Sequence, residues 1–314
     1  MRPPLEGIDS EGVFTLRNVD DTDRVKSYIA SHKIKSAVIV GAGFIGLEMA
    51  ENLHHAGAEV SVVEMGNQVM APVDFSIASH VHQHLLQKGV RLFLGQSVER
   101  LERSGNNIEV FFAHGGSIVT DLVILSIGVR PEITLAKVAG LRIGDAGGIW
   151  VDDYLQTTNP KIHAIGDVKG GLQFTYISLD DYRILREDLF GAGERKVSDR
   201  DPVSYSVFID PPLSRIGLSE AEARKKGLNI KVNKLPVAAI PRARTLGDTN
   251  GLFKVVVDAD TDKIVGCTLF GPESSEVINL VAMAMKIGQE YTFLRDFVFT
   301  HPSMSEALND LMGF

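Results

Sequence analysis

The sequence predicts an α/β fold of more than one domain, and three observations carry that prediction. A short apolar run at residues 36–40 leads directly into Gly41-Ala42-Gly43-Phe44-Ile45-Gly46, after which residues 47–55 follow with helical spacing. A second apolar run at 59–64 then completes a strand, glycine turn, helix and strand. Beyond residue 200 the pattern changes to four strand-like segments and two amphipathic helices.

Taken in order, residues 1 to about 30 are rich in Pro, Gly and Asp and become helical near 22–30. After the βαβ unit, residues 74–88 read as a helix, and 91–94, 98–101 and 108–112 as strands. A further apolar strand at 122–127 ends at Gly128. A glycine pair precedes a helix at 175–189, and a polar linker at 196–202 closes this block. The last block has strands at 204–209, 231–235, 252–257 and 263–270, then helices at 275–287 and 303–311. The expected divisions are 1–30, 31–127, 128–200 and 201–314.

The composition is that of an ordinary globular protein, with 44% hydrophobic and 23% charged residues among 314. A net charge of −8 argues against nucleic acid or an anionic membrane as a main partner. No apolar run is long enough to span a bilayer, and the first residues, with Arg2, Pro3, Pro4 and Glu6, resemble neither a signal nor a transit peptide. A cytoplasmic location is expected. The one cysteine, Cys267, rules out an intrachain disulfide framework and any CxxC site. It lies in an apolar strand and reads as a small buried side chain. His80 and His84 stand four residues apart on one predicted helix face, with His82 between them. Two histidines are common on a solvated face, so no metal site is expected.

The glycine turn carries the first chemistry. In GxGxxG, Gly41 permits a tight turn, Gly43 lets backbone N–H groups approach a pyrophosphate, and Gly46 lets helix and strand pack closely. The helix N-terminus adds the positive end of its dipole. Glu64 ends the next strand, 23 positions after Gly41. A carboxylate there accepts ribose hydroxyls and repels a 2′-phosphate, which favours NADH over NADPH. These features define a Rossmann-like NAD domain.

Four motifs, in order, resemble those of the pyridine nucleotide–disulfide oxidoreductases. They are the segment from Gly41 to Glu48, Ser126-Ile127-Gly128-Val129-Arg130-Pro131, Ile162-His163-Ala164-Ile165-Gly166-Asp167, and Thr300-His301-Pro302-Ser303-Met304-Ser305-Glu306. Within the family, the early segments Gly12-Val13-Phe14-Thr15-Leu16-Arg17-Asn18 and Val69-Met70-Ala71-Pro72 resemble coenzyme A-disulfide reductases and NADH oxidases. Residues from Gly170 on resemble flavoproteins of reactive-chlorine resistance, through the stretch from Gly171 to Arg183 and that from Pro236 to Arg244.

The resemblance implies FAD and NAD as cofactors, a homodimer, and a role in redox homeostasis. It assigns residues 1–30 to a lead-in from the flavin domain, 31–127 to the NAD domain, 128–200 to a partial FAD domain, and 201–314 to a C-terminal α/β dimerisation domain. It implies that Gly128 leaves the NAD domain and that Asp167, after the turn at Gly166, bonds the ribityl chain of FAD. An aspartate capping a turn is the plainer reading of Asp167. Thr175 opens a helix whose N-terminus points at the flavin's pyrimidine edge. Phe44 matches an aromatic that covers the flavin until nicotinamide displaces it, the alternative being simple packing of the turn. Glu48 matches a carboxylate paired with a lysine beside the flavin. His301 and Glu306 match an acid–base pair, with the histidine handling a thiol proton of the other subunit and the glutamate orienting the ring. Pro302 is expected in the first turn of the last helix. The family begins with a further GxGxxG and a cysteine pair, which this sequence does not contain. The expectation is therefore an N-terminally truncated oxidoreductase passing hydride from NADH through FAD to a disulfide or other acceptor. The alternative is a non-catalytic remnant that binds nucleotide and dimerises.

Overall fold

The computed structural model describes residues 3–200 and 202–314. Met1 and Arg2, in the expected lead-in, and Asp201, in the expected linker, lie outside the described residues. The chain divides into two compact units, Met1–Ile127 with Pro202–Phe314, and Gly128–Asp201.

The first unit begins with β1 (Val13–Thr15), α1 (Val19–His32), β2 (Ser36–Val40), α2 (Phe44–His55), β3 (Glu59–Glu64), α3 (Phe75–Gln87) and β4 (Arg91–Leu94). Then come β5 (Val98–Ser104), β6 (Asn107–Phe112), β7 (Ser117–Thr120) and β8 (Leu122–Leu125). Five of these strands form a parallel sheet in the order β1-β8-β2-β3-β4. β5, β6 and β7 make a separate antiparallel sheet. The near-continuous apolar strands follow from burial on both faces. Ala37, Ile39, Val62 and Ile124 join the core that contains Val25, Leu47, Ala50, Ile77 and Leu85 of the helices. Val38, Val40, Val63 and Val123 join Leu101, Ile108 and Val110 of the three-stranded sheet. This is the Rossmann-like α/β domain expected.

From β2 the chain winds through β3 to β4 on one side, while β8 adds on the other. The strand order therefore reverses between β2 and β8, the place where open parallel sheets bind ligands at their carboxyl ends. The glycine turn sits there.

The second unit contains α4 (Thr134–Val138), a 3-10 turn at Gly166–Lys169, and α5 (Thr175–Phe190). Its small core is Ala136, Leu141, Ile149 and Ala164. The chain then returns to the first unit with β9 (Ser204–Val207), β10 (Leu213–Gly217), α6 (Glu220–Lys225), β11 (Ile230–Pro236), α7 (Pro241–Leu246), β12 (Leu252–Asp258) and β13 (Ile264–Phe270). It ends with α8 (Ser274–Lys286), α9 (Tyr291–Arg295) and α10 (Ala307–Leu311). The five strands form an antiparallel sheet, β11-β12-β13-β10-β9, over which Val277, Ile278 and Val281 of α8 close a core.

Several boundaries differ from the sequence expectation. The strand expected at 122–127 stops at Leu125, and Gly128 then turns the chain at φ 105°. The last helix starts at Ala307 rather than 303. Pro302 therefore precedes the helix instead of sitting in its first turn. β1, β7 and β10, with α4, α6, α7 and α9, had no strong periodic signal because each is only three to six residues long. Cys267 is buried on β13, and burial pushes its thiol pKa up, as befits a packing residue. His84, expected on a solvated face, is instead 5% exposed. Its ring stands edge-on to Phe270 and bonds Glu51.

Candidate functional site: a dinucleotide turn, a glycine–aspartate turn and an acid–base pair

The three glycines of the first turn have three different surroundings. Gly41 has φ 100°, and a Cβ there would stand 2.5 Å from the Ser126 carbonyl oxygen, so only glycine fits against the end of β8. A Cβ on Gly46 would meet the Gly41 carbonyl oxygen at 1.9 Å, which is the close helix–strand packing expected. A Cβ on Gly43 would meet nothing within 4 Å. Open ground thus lies beside the N-cap of α2, a twelve-residue helix with no side-chain cap. Uncapped N–H groups at such an end suit an anionic ligand, so the pyrophosphate of a dinucleotide fits these residues.

Glu64 is tied into this turn. Its Oε2 accepts the Ala42 N–H at 2.7 Å and its Oε1 accepts the Gly66 N–H at 2.7 Å. Each carboxylate oxygen has a second lone pair, so the group that braces the turn still has capacity for ribose hydroxyls. Phe44, the first residue of α2, lies 5.2 Å from the ring of Tyr205, tilted by 54°. The Glu48 carboxylate accepts the Phe208 N–H at 2.9 Å.

In the second unit Gly166 has φ 70°, and its N–H donates to Asp181 Oδ2 at 2.7 Å. Asp167, the next residue, is exposed. Thr175 is exposed at the start of the sixteen-residue α5, whose N-cap, Phe174, makes no side-chain cap bond. Gly128 is exposed, with no atom within 4 Å of an added Cβ. An exposed carboxylate and an uncapped helix end fit the hydroxyls and the electron-rich edge of a flavin. Sequence reasoning missed what holds this turn. Asp181 is fully buried and also faces Arg200 at 2.5 Å and Lys169 at 3.5 Å. Asp180 bonds Arg195 and Arg200. Burial pushes the Asp180 carboxyl up, but the two arginines hold it below its ordinary value. Two adjacent acids inside an amphipathic helix were the available signal.

The C-terminal pair is assembled. His301 Nδ1 and Glu306 Oε2 are 2.7 Å apart. Glu306 Oε1 also accepts the Ser303 N–H at 3.2 Å, and the Glu306 N–H returns a bond to Ser303 Oγ at 3.3 Å. The turn between Pro302 and α10 is what brings the two side chains together. A carboxylate at Nδ1 places a proton on that nitrogen and leaves Nε2 as the acceptor. His301 is 69% exposed, so Nε2 is available to an external proton.

Among the described residues no group of three or more His, Cys, Asp or Glu is arranged to hold a metal ion. Nor is any helix there long and apolar enough to cross a membrane.

This fold and these sites match a known family. Residues 1–181 match the pyridine nucleotide-disulphide oxidoreductase domain, and residues 203–312 match the dimerisation domain of the same enzymes. The chain belongs to the pyridine nucleotide-disulfide oxidoreductases, a family of enzymes that use FAD and NAD(P)H. It is 41% identical over 314 residues to the probable pyridine nucleotide-disulfide oxidoreductase RclA of Escherichia coli. That match covers 99% of this chain and 69% of RclA. The structure described as a Cu(II) complex of the HOCl-induced flavoprotein disulfide reductase RclA superposes with a TM-score of 0.89 at 40% identity, again over 99% and 69% of the two chains. A mercuric reductase of Lysinibacillus sphaericus is 31% identical over 87% of this chain, which spans 51% of that protein. CoADR-RHD of Bacillus anthracis has a TM-score of 0.86 at 30% identity, covering 99% of this chain and 60% of its own. The RclA and CoADR-RHD matches each run the length of the chain, so both kinds of resemblance extend beyond the segments that first showed them.

Proposed function

We propose that this chain is the NADH-binding, partial flavin-binding and dimerising portion of a cytoplasmic, homodimeric oxidoreductase that acts on a disulfide or other small-molecule acceptor. The domain limits proposed are 1–30, 31–127, 128–200 and 201–314. The observation that carries the reading is the open ground at Gly43, beside an uncapped helix end and at the reversal of strand order. Gly41, Gly43 and Gly46 bring backbone N–H groups to the pyrophosphate, and Glu64 receives the ribose hydroxyls. Phe44 and Glu48 flank the nicotinamide side of the turn. Asp167, held through Gly166, binds the ribityl hydroxyls, while Gly128 and the N-terminus of α5 at Thr175 face the flavin ring. When bound, FAD relays a hydride from NADH to the acceptor. His301 takes or gives the accompanying proton at Nε2, and Glu306 fixes its tautomer.

Calorimetric titration of the chain with NADH and NADPH tests the dinucleotide site. NADH is expected to bind more tightly, because Glu64 would lie against a 2′-phosphate. Equal or tighter binding of NADPH would remove the role given to Glu64.

A further inference from the structure

The segment between β3 and α3, residues 65–73, is tied to the dinucleotide turn. The Met70 N–H donates to the carbonyl of Ala42, the residue between Gly41 and Gly43, at 2.9 Å. With the Ala42 N–H on Glu64, both backbone groups of that residue are bonded. Met70 is 1% exposed and has φ 51°, a left-handed conformation that a methionine keeps only where its surroundings impose it. Two braces hold carbonyls farther along the segment. Gln68 donates to the Val73 carbonyl at 2.8 Å, and Arg215, itself paired with Glu222, donates to that of Pro72. The near end is held by an N–H instead. Val69, 0% exposed, donates to Nε2 of His82 on α3 at 3.0 Å. That nitrogen accepts only while it carries no proton, so the bond requires a neutral ring with its proton on Nδ1.

The His82 ring is half-buried and stands edge-on to Phe75, 6.1 Å away. Burial lowers its pKa from the ordinary value. The charged groups around α3 act on other residues. Glu51 of α2 takes His84 and Lys88, Lys254 of β12 takes Asp74, and Lys234 of β11 acts on His80. Arg91, the one charged residue of β4, is exposed at the start of its strand. We propose that neutral His82 is a positioning residue of the dinucleotide site. By accepting the Val69 N–H it holds the Val69–Met70 peptide and, through Met70, the Ala42 carbonyl of the glycine turn, so NADH binds more weakly when this ring is protonated. This rests on the NADH reading given above. A protonated ring sets a second N–H against that of Val69, where water does not reach. The peptide must then turn away, and the Met70 N–H, one residue on, leaves Ala42. Losing one such bond corresponds to roughly a three- to tenfold weaker affinity. By linkage, bound NADH keeps the ring neutral to lower pH.

The test is fluorescence titration of NADH into the unaltered chain, H82Q and H82L, from about pH 8 down to about pH 5. Near pH 8, H82Q offers a side-chain oxygen to the same N–H and should bind within about twofold of the unaltered chain. H82L offers no acceptor and should bind about three- to tenfold more weakly. As the pH falls below about 6.5 and through the lowered pKa of the ring, the unaltered chain should weaken towards H82L. H82Q does not titrate there and should draw ahead of the unaltered chain by about three- to tenfold. Parallel pH profiles for the unaltered chain and H82Q would overturn the inference, as would full affinity in H82L near pH 8. H82Q as weak as H82L near pH 8 would overturn it too, by moving the role to the packing of the ring. Should H82L not fold, the comparison of H82Q with the unaltered chain decides alone. If the unaltered chain binds no NADH near pH 8, the dinucleotide reading falls and this inference with it. If that chain binds with the pH profile of H82Q, this inference falls alone.

Discussion

Two histidine–glutamate pairs occupy opposite environments in the first unit. In one, His84 and Glu51 are 3.3 Å apart, with side chains only 6% and 5% exposed. In the other, His301 and Glu306 are 2.7 Å apart, with the histidine 69% exposed. The buried glutamate joins distant parts of the chain. It takes Lys88 Nζ at 3.0 Å and the Asp210 N–H at 2.7 Å, linking α2, α3 and the segment after β9. Glu306, itself 17% exposed, bonds within its own turn, to His301 and Ser303. The same two residue types thus serve different ends. Burial makes the first pair a fastening, and exposure leaves the second with an imidazole open to solvent.

The largest test of that contrast is Glu51→Ala. It leaves the buried His84 ring and the Asp210 N–H without their shared acceptor, while the partly exposed Lys88 ammonium keeps the Asp210 carbonyl at 2.7 Å. Unfolding in denaturant should show a loss of roughly 3–5 kcal/mol, as when one partner of a buried pair is removed. A loss below about 1 kcal/mol would mean that the buried pair is no fastening.

A smaller effect lies in the acid limb of stability. Burial pushes the Glu51 carboxyl up, but bonds from His84, Lys88 and the Asp210 N–H outweigh it and hold the pKa below the ordinary value. The unfolded chain then binds that proton more readily than the folded one. Its contribution is complete above the unfolded value of about 4.3 and is lost as pH falls through the lower folded value. Glu51→Gln should therefore flatten the decline in stability between about pH 5 and pH 2, measured as unfolding midpoints across that range. An unchanged slope would show that Glu51 carries none of it.

The smallest effect is expected for Glu306→Gln. This change weakens a contact with one well-exposed partner and should alter unfolding stability by less than about 1 kcal/mol. A loss as large as that of Glu51→Ala would show that exposure is not what separates the two pairs.

The parts of this protein readable in its sequence are those whose cause is local. The run 36–64 reveals itself because periodicity and the glycine spacing both lie within thirty residues, and β2 and β3 fall at the expected limits. His301 and Glu306 are legible for the same reason, being five positions apart. The start of α10 was misread, since the apolar spacing from 303 also suits a turn that lets Glu306 reach back to His301. The residues that escaped notice have distant partners. Glu51 meets Asp210 across 159 positions, and Tyr205 meets Phe44 of α2 from the C-terminal sheet. Asp181 meets Gly166 only because α5 folds back over its turn. In a linear reading each is an ordinary residue of a helix or strand, and burial is what makes each specific.

The fastening of α2 has a consequence for anyone recombining this chain with its relatives. A cut placed between residues 127 and 202 looks convenient, because the first unit is interrupted there. It would nevertheless part Phe44, Glu48 and Glu51 from the six-residue stretch that receives them at 205, 208 and 210. A transplanted nucleotide module would arrive with two carboxylates facing a foreign backbone. Successful chimeras should inherit both sides of that seam from one parent.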